Sequence, residues 1–382
     1  MKNVILTAIA LLTLVACNKT ADDNEFKVYG WYGWSENVST DSLAQLFAQW
    51  KAHGLTGVCV QAGGFNTERI QTAARIAHEQ GLEYHAWIPT MLQHGKDSTW
   101  YTVNRLGLSA YNPENRAYVT YYATLDPRNP EVVAWLTEQY SAVADIPEVD
   151  YVQLDYIRYA DVVLSEGLWK KYDDQIHHLW CDTIDGQRRI HEYPGADYCY
   201  CDECLKDFQE KTGIDIRERM AKGDDPADIA QWNQYRQDQV TQLVNTITEA
   251  VHAKGKKVSA DVFPGPESHA VWMVRQEWNR WDVDLFMPMN YNDFYLQPAS
   301  WVGTITQEEV ESTERPVVSG LFICHDWQHK ADIVDPEGSG LLPSEIAEAV
   351  NGARKAGAAG ISLFTPASMT DEHWQALEEA LK

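Results

Sequence analysis

Two β-forming runs each end in an aspartate, and carboxyl groups paired at strand ends can do acid–base or nucleophilic chemistry. Val149-Asp150-Tyr151-Val152-Gln153-Leu154-Asp155-Tyr156 puts Asp155 where a strand opens into a loop. Val258-Ser259-Ala260-Asp261-Val262-Phe263 puts Asp261 at the same end of a second run, and Glu267 follows in Pro264-Gly265-Pro266-Glu267. Cleavage of a glycosidic bond needs two carboxyl groups, one ionised and one protonated. Asp155 as the ionised carboxylate, with either Asp261 or Glu267 as the acid, meets that need, and Asp261 is narrowly favoured. The competing readings are a supporting role for Asp261 and a solvated loop position for Glu267. Arg158, three residues past Asp155, would hold it ionised, bind substrate hydroxyls, or form an ordinary salt bridge with it.

Other polar and aromatic side chains fall at strand ends as well. Trp31 and Trp34 close the first run, His85 and Trp87 the third, Asn290 and Tyr291 the sixth, and His325 the seventh. With Arg158, these are the candidate substrate-binding residues. The chain carries 15 Trp and 19 Tyr; most such rings pack in cores, but aromatic faces also suit the C–H faces of sugars. A lone histidine is more often a hydrogen-bonded structural residue than a catalyst. The net charge of −25 and the lack of any Lys/Arg-rich stripe argue against a nucleic-acid partner. Strand-end His-x-His ligand sets are missing, which disfavours a metal-dependent hydrolase, and no catalytic cofactor is expected. The expected partner is a poly- or oligosaccharide. A non-catalytic glycan-binding surface lipoprotein is the other class, and it would keep the aromatics without needing facing carboxyls.

The elements that must position these residues alternate in a βα pattern. Strands are predicted over 26–34, 55–61, 84–88, 149–156, 257–263, 283–289, 316–323 and 360–365. Helices are predicted over 41–53, 67–80, 130–143, 226–253, 344–356 and 371–381. Eight such units point to an α/β fold, a closed (β/α)8 TIM barrel spanning 26–382, rather than an open doubly wound sheet. In such barrels the site lies at the C-terminal strand ends. Residues 160–224 lack apolar periodicity and read as an irregular insertion after strand four, lying over that face.

Within this insertion Cys199, Cys201 and Cys204 form C-x-C-x2-C, with Cys181 upstream and His177, His178 and His191 nearby. Four thiols suit a structural zinc site, whereas an oxidising compartment favours disulfides; either would brace the insertion. Cys59 and Cys324 read as buried thiols. Residues 1–16 combine Lys2 with a short apolar run ending Leu14-Val15-Ala16-Cys17, which resembles a lipoprotein signal peptide cleaved before a lipidated Cys17. Residues 17–25 would then be a tether resembling those of cell-surface lipoproteins. The expected location is an outer-membrane lipoprotein, at the cell surface or in the periplasm of a Gram-negative bacterium, anchored by lipid without crossing the membrane.

Leu125-Asp126-Pro127-Arg128-Asn129-Pro130-Glu131-Val132, followed by the strand ending Leu154-Asp155-Tyr156-Ile157-Arg158-Tyr159, resembles a bacterial glycosyl-hydrolase-like barrel family. That family is related to the hydrolase domain of poly-N-acetylglucosamine-processing lipoproteins. Val258 to Phe263, Gln276 and Pro288-Met289-Asn290-Tyr291 look like its later blocks. The resemblance covers strands three to six and implies that Asp155 is the catalytic-strand aspartate. Ala160 stands where the family has proline and Tyr151 where it has glycine; neither change removes a carboxylate. Similar C-x-C-x2-C stretches look structural in several bacterial glycosidase barrels.

Overall fold

The computed structural model describes residues 26–116, 118–169, 181–184, 187–333, 335 and 338–382. The signal segment, Cys17, the 17–25 tether, His177 and His178 lie outside the described residues, and Cys181 is described by its backbone alone.

Eight parallel strands form the barrel: β1 Lys27–Gly33, β2 Gly57–Gln61, β3 Glu83–Pro89, β4 Tyr151–Asp155, β7 Lys257–Val262, β8 Leu285–Pro288, β9 Val318–Phe322 and β10 Gly360–Phe364. A separate antiparallel hairpin, β5 Cys181–Ile184 and β6 Gln187–Ile190, lies between β4 and β7 in the chain. The order is β8-β7-β4-β3-β2-β1-β10-β9. The ring closes where Phe286 pairs in parallel with Val317, its N–H donating to the Pro316 carbonyl at 2.9–3.0 Å range typical of a strand bond, here 3.0 Å. Gly320 sits at this seam because a Cβ there would lie 2.6 Å from the Pro288 carbonyl oxygen.

Crossover helices cover the outside: α1 Thr40–Ala52, α2 Thr67–Glu79, α3 Pro130–Ala144, α4 Asp202–Thr212, α5 Ile216–Ala221, α6 Ala230–His252, α7 Trp301–Ser312, α8 Pro343–Lys355 and α9 Asp371–Leu381. Their starts follow capping chemistry. Ser39, Asn66 and Asn129 each accept a backbone N–H of the first turn, and Pro130 occupies the first helical position of α3. Gly81, at φ +69°, lets the chain leave α2 for β3.

Strand alternation separates two cores. In β4, Val152 and Leu154 are buried under the helices, while Gln153 and Asp155 point to the barrel axis. The axis holds a small apolar cluster that includes Tyr29, Trp31, Cys59 and Met287. Fully burying a side chain of this size contributes roughly 1.5–3 kcal/mol.

The eight predicted strands are all present; β3 is one residue longer at each end than predicted, and the other seven are shorter by one or two residues at one or both ends. Residues 160–224 differ from the irregular reading, because they contain α4, α5 and the hairpin. The predicted 226–253 helix is a 3-10 turn at Pro226–Asp228 followed by α6, since the chain is extended at Ile229.

Candidate active site

A cavity of about 440 Å³ opens at the C-terminal ends of the strands. Trp31, Gln61, Trp87, Asp155, Phe322 and Phe364, from six strands, form its strand-borne wall. Tyr118, Tyr121 and Tyr122 from the β3–β4 connection, and Asp161, Ser165 and Leu168 from the segment after β4, add part of the rim. The rings brace one another: Trp31 lies 5.5 Å from Trp87 and 5.6 Å from Phe364, and Tyr291 lies 5.1 Å from Phe322.

Asp155 is the carboxyl that the barrel itself presents to this space. Its Oδ2 accepts the Trp87 indole N–H at 2.7 Å, and its Oδ1 accepts the Tyr156 backbone N–H at 2.6 Å. Burial raises its pKa, and the Trp87 bond, the Tyr156 N–H and Arg158 oppose that rise only in part. Tyr156 itself adopts φ +47°, a left-handed conformation that is costly for a tyrosine. The Thr90 and Met91 N–H groups donate to the carbonyls of Asp155 and Tyr156 and hold this bend. A strained residue directly after a cavity-facing carboxyl is the placement expected of a working site.

Asp261 follows Ala260, the register partner of Leu154, and so lies beside Asp155 on the neighbouring strand. It is 1% exposed and sits behind the cavity wall rather than in it. Gln153 donates to its Oδ1 at 2.6 Å, while Oδ2 is buried with no protein partner. Burial, and then the nearby Asp155 charge, push its pKa well above the carboxylate range. Two adjacent carboxyls with no cation between them hold a proton tightly. Tyr291 faces the same pair; burial, then Asp261 and Asp155, drive its phenol well up, so it is a neutral hydroxyl in the cavity.

Arg158 lines the cavity but pairs with Asp161, at 3.4 Å, and not with Asp155. Its guanidinium lies over the Phe263, Tyr156 and Tyr122 rings at 4.7, 5.1 and 5.4 Å. Asp161 also accepts the hydroxyls of Tyr118 and Tyr122. Burial pushes Asp161 up against the pull of Arg158 and these hydroxyls. Because Arg158 stays protonated, Asp161 is its counter-ion. Arg158 does lower the pKa of Asp155, as the sequence implied, but burial outweighs it, and the salt bridge of Arg158 is with Asp161 rather than with Asp155.

Of the other candidates, Trp31, Trp87 and Tyr291 join Asp155 and Arg158 in the cavity. Glu267 does not: it is exposed on the Pro266–Ala270 turn and faces a separate groove with Asn233 and Glu277. Trp34 is buried beside the barrel, its indole donating to the Val38 carbonyl and its ring under Arg69 at 4.1 Å. His85 is too deep, stacked on Tyr151 at 4.2 Å below the cavity floor. Asn290 points outward, donating to Glu309, Ser319 and Thr306. His325 is exposed, with Nδ1 on the Ser368 carbonyl oxygen at 3.0 Å. Asp161 and the Tyr118–Tyr122 group were missed. Their signals were weak: a tyrosine-rich stretch without periodicity, and an acid three residues after Arg158.

No family model matches this sequence, and neither does any curated protein. Solved structures do match it in shape. The PgaB (BpsB) glycoside hydrolase domain from Bordetella bronchiseptica superposes with a TM-score of 0.63 at 14% identity, covering 94% of this chain and 99% of that one. The catalytic domain of a β-amylase from Paenibacillus polymyxa gives 0.55 at 12% identity, covering 94% and 98%. A class V chitinase from Pseudomonas fluorescens Pf-5 gives 0.52 at 12% identity, covering 93% and 99%. The chain therefore has the (β/α)8 barrel fold of these glycoside hydrolase domains.

Proposed function

We propose that the protein hydrolyses a glycosidic bond in a poly- or oligosaccharide, with Asp155 as the proton-exchanging carboxyl. The observation that carries this reading is the carboxyl pair. Asp155 faces an aromatic-walled cavity at the end of β4, and Asp261 stands behind it with an unpartnered oxygen. In the proposed reaction Asp155 gives its proton to the glycosidic oxygen as the bond to the sugar breaks; a water supplies the hydroxyl that ends on the released sugar, and its other proton returns to Asp155 to restore the acid. Burial keeps the proton affinity of Asp155 high, and Asp261 does not itself reach the cavity. Asp161, paired with Arg158, is the second carboxyl open to the cavity and the candidate for steering that water or stabilising positive charge on the sugar. Trp31, Trp87 and Tyr291 supply faces and a hydroxyl for the sugar ring. A glycan-binding protein without catalysis would gain nothing from two buried acids, whose desolvation is costly. Incubating the purified protein with bacterial, host and plant glycans tests this directly. New reducing ends are expected, and a full panel without any would overturn the reading.

The proposed setting is a membrane surface, reached through a lipid on Cys17. No described helix is long and apolar enough to cross a membrane. Cys17→Ser should release the protein into the soluble fraction; a variant still membrane-bound after detergent-free washing would remove the anchor from the model of function.

A further inference from the structure

A second set of reactive side chains lies away from the cavity. Asp126, from the Leu125-Asp126-Pro127 stretch before α3, meets Cys199, Cys201 and Cys204 from the segment leading into α4. Asp126 Oδ2 lies 3.3 Å from the sulfur of Cys201, 3.7 Å from that of Cys204 and 3.8 Å from that of Cys199. All four ligand atoms fall within 4.8 Å of one another, and the three thiols are free. Zinc bonds of about 2.3 Å to sulfur and about 2.0–2.2 Å to oxygen imply tetrahedral oxygen–sulfur edges of roughly 3.5–3.7 Å. The observed edges bracket that span, so an ion would fit with shifts of a few tenths of an ångström.

From this geometry we infer that Asp126, Cys199, Cys201 and Cys204 bind one zinc-type divalent cation through three thiolates and one carboxylate. The surroundings support the placement. The Arg128 N–H holds Asp126 Oδ1 at 3.0 Å and thereby turns Oδ2 toward the sulfurs. Backbone N–H groups of Val103 and Cys204 point at the sulfurs of Cys199 and Cys201, each at 3.4 Å, as donors do around metal-bound thiolates. Asp126, Cys199 and Cys204 are buried, and a buried carboxyl facing three sulfurs is costly unless a cation completes it. Four protein ligands fill a tetrahedron and leave no open position for substrate, which makes the site structural. None of the four lines the cavity. The ion would tie the β3–β4 connection, which carries Tyr118 to Tyr122, to the chain that follows β4. The sequence reading grouped Cys181 with the three thiols; Asp126 takes the fourth place here.

The test uses the full-length protein purified from zinc-supplemented cultures. Elemental analysis and native mass spectrometry should find one zinc per chain. Chelation should remove it, lower Tm and expose three thiols to alkylation. Cobalt(II) exchanged into the site should give thiolate charge-transfer absorption and intense tetrahedral visible bands. Asp126→Asn should weaken binding at least about 10–100-fold, the size of loss seen when even the supports of a ligand are removed. Asp126→Cys should keep the metal and strengthen the charge-transfer band, which separates ligand loss from misfolding. Cys181→Ser should bind as the wild type does. A metal-free wild type under these conditions, an internal disulfide among Cys199, Cys201 and Cys204, or metal retained in Asp126→Asn but lost in Cys181→Ser would each overturn the assignment.

Discussion

At the N-terminal end of the barrel interior, Glu83 receives the Tyr29 hydroxyl at 2.6 Å and lies 3.2 Å from His85 Nε2, whose other ring nitrogen meets Ser259 at 3.0 Å. At the C-terminal end, Asp261 has one amide donor, Gln153, and an oxygen with no partner. Both acids pay the same kind of desolvation, yet they move in opposite directions. Burial pushes Glu83 up, but the His85 bond and charge and the Tyr29 hydroxyl outweigh it and bring the carboxyl down to about 2. Burial pushes Asp261 up, and the neighbouring Asp155 pushes further the same way. One barrel thus contains a carboxyl locked as an anion for structure and a carboxyl pair that retains a proton. The difference lies in partners rather than depth, and partners can be removed one at a time.

The largest effect should come from the cavity-facing acid. Asp155→Asn keeps the shape and accepts no proton in exchange, so turnover should fall about 10²–10⁴-fold, the span general acid–base groups contribute. Glycan binding, read by calorimetry, should stay near wild type because the aromatic wall is intact. Wild-type turnover in this variant on a confirmed substrate would break the proposed role of the pair.

Next in size is the anion at the other end. A carboxyl whose folded pKa is lowered stabilises the fold above its unfolded pKa of about 4.3, and that contribution is lost as pH falls toward about 2. Full conversion gives about 3 kcal/mol, reduced to on the order of 2 kcal/mol because the Glu83 side chain keeps 32% of its surface in water. Glu83→Gln should therefore lower stability at pH 7 by that amount, with the gap closing near pH 2. Denaturant titrations showing an equal gap at both pH values would mean that packing, not charge, is what the variant loses.

Asp261→Asn should show the reverse slope. A carboxyl whose folded pKa is raised costs nothing below its unfolded pKa of about 3.9, and the wild type loses stability as pH climbs from there up to the folded value. The amide cannot ionise, so its stability relative to wild type should improve as pH rises above about 4. Parallel Tm curves for the two proteins would remove the contrast between the barrel ends.

The fold was largely legible because strand and helix periodicities differ, and β4 shows why the site was partly legible too. Val152 and Leu154 had to face the helices, so Gln153 and Asp155 had to face the axis. That same logic could not assign depth. His85 and Trp87 alternate on β3 and both point inward, but only Trp87 is high enough to meet the cavity. Asn290 and Tyr291 diverge because the chain turns at the end of β8, sending the amide outward to Glu309. Contacts between distant loops left no local pattern at all: Asp161 with Tyr118, and Asp126 with the thiols, are set by how the connections fold over the barrel.

The smallest and most discriminating effect should come from Trp87→Phe. The phenyl ring keeps the apolar contacts to Trp31 and Phe364, but the indole N–H that reaches Asp155 Oδ2 at 2.7 Å is gone. That bond favours the ionised form of Asp155, since it is among the groups opposing the rise caused by burial. The Asp155 ionisation should then move upward, while kcat at the optimum changes by less than about tenfold. Which limb of the pH–rate profile moves decides the chemistry. If Asp155 works as the proton donor, activity is lost as it ionises, and the alkaline limb should move to higher pH. Movement of the acidic limb instead would make Asp155 a base or nucleophile and give the proton-donating role to another group on the cavity wall. A profile that does not move would mean that the Trp87 bond holds the carboxyl in place without tuning it.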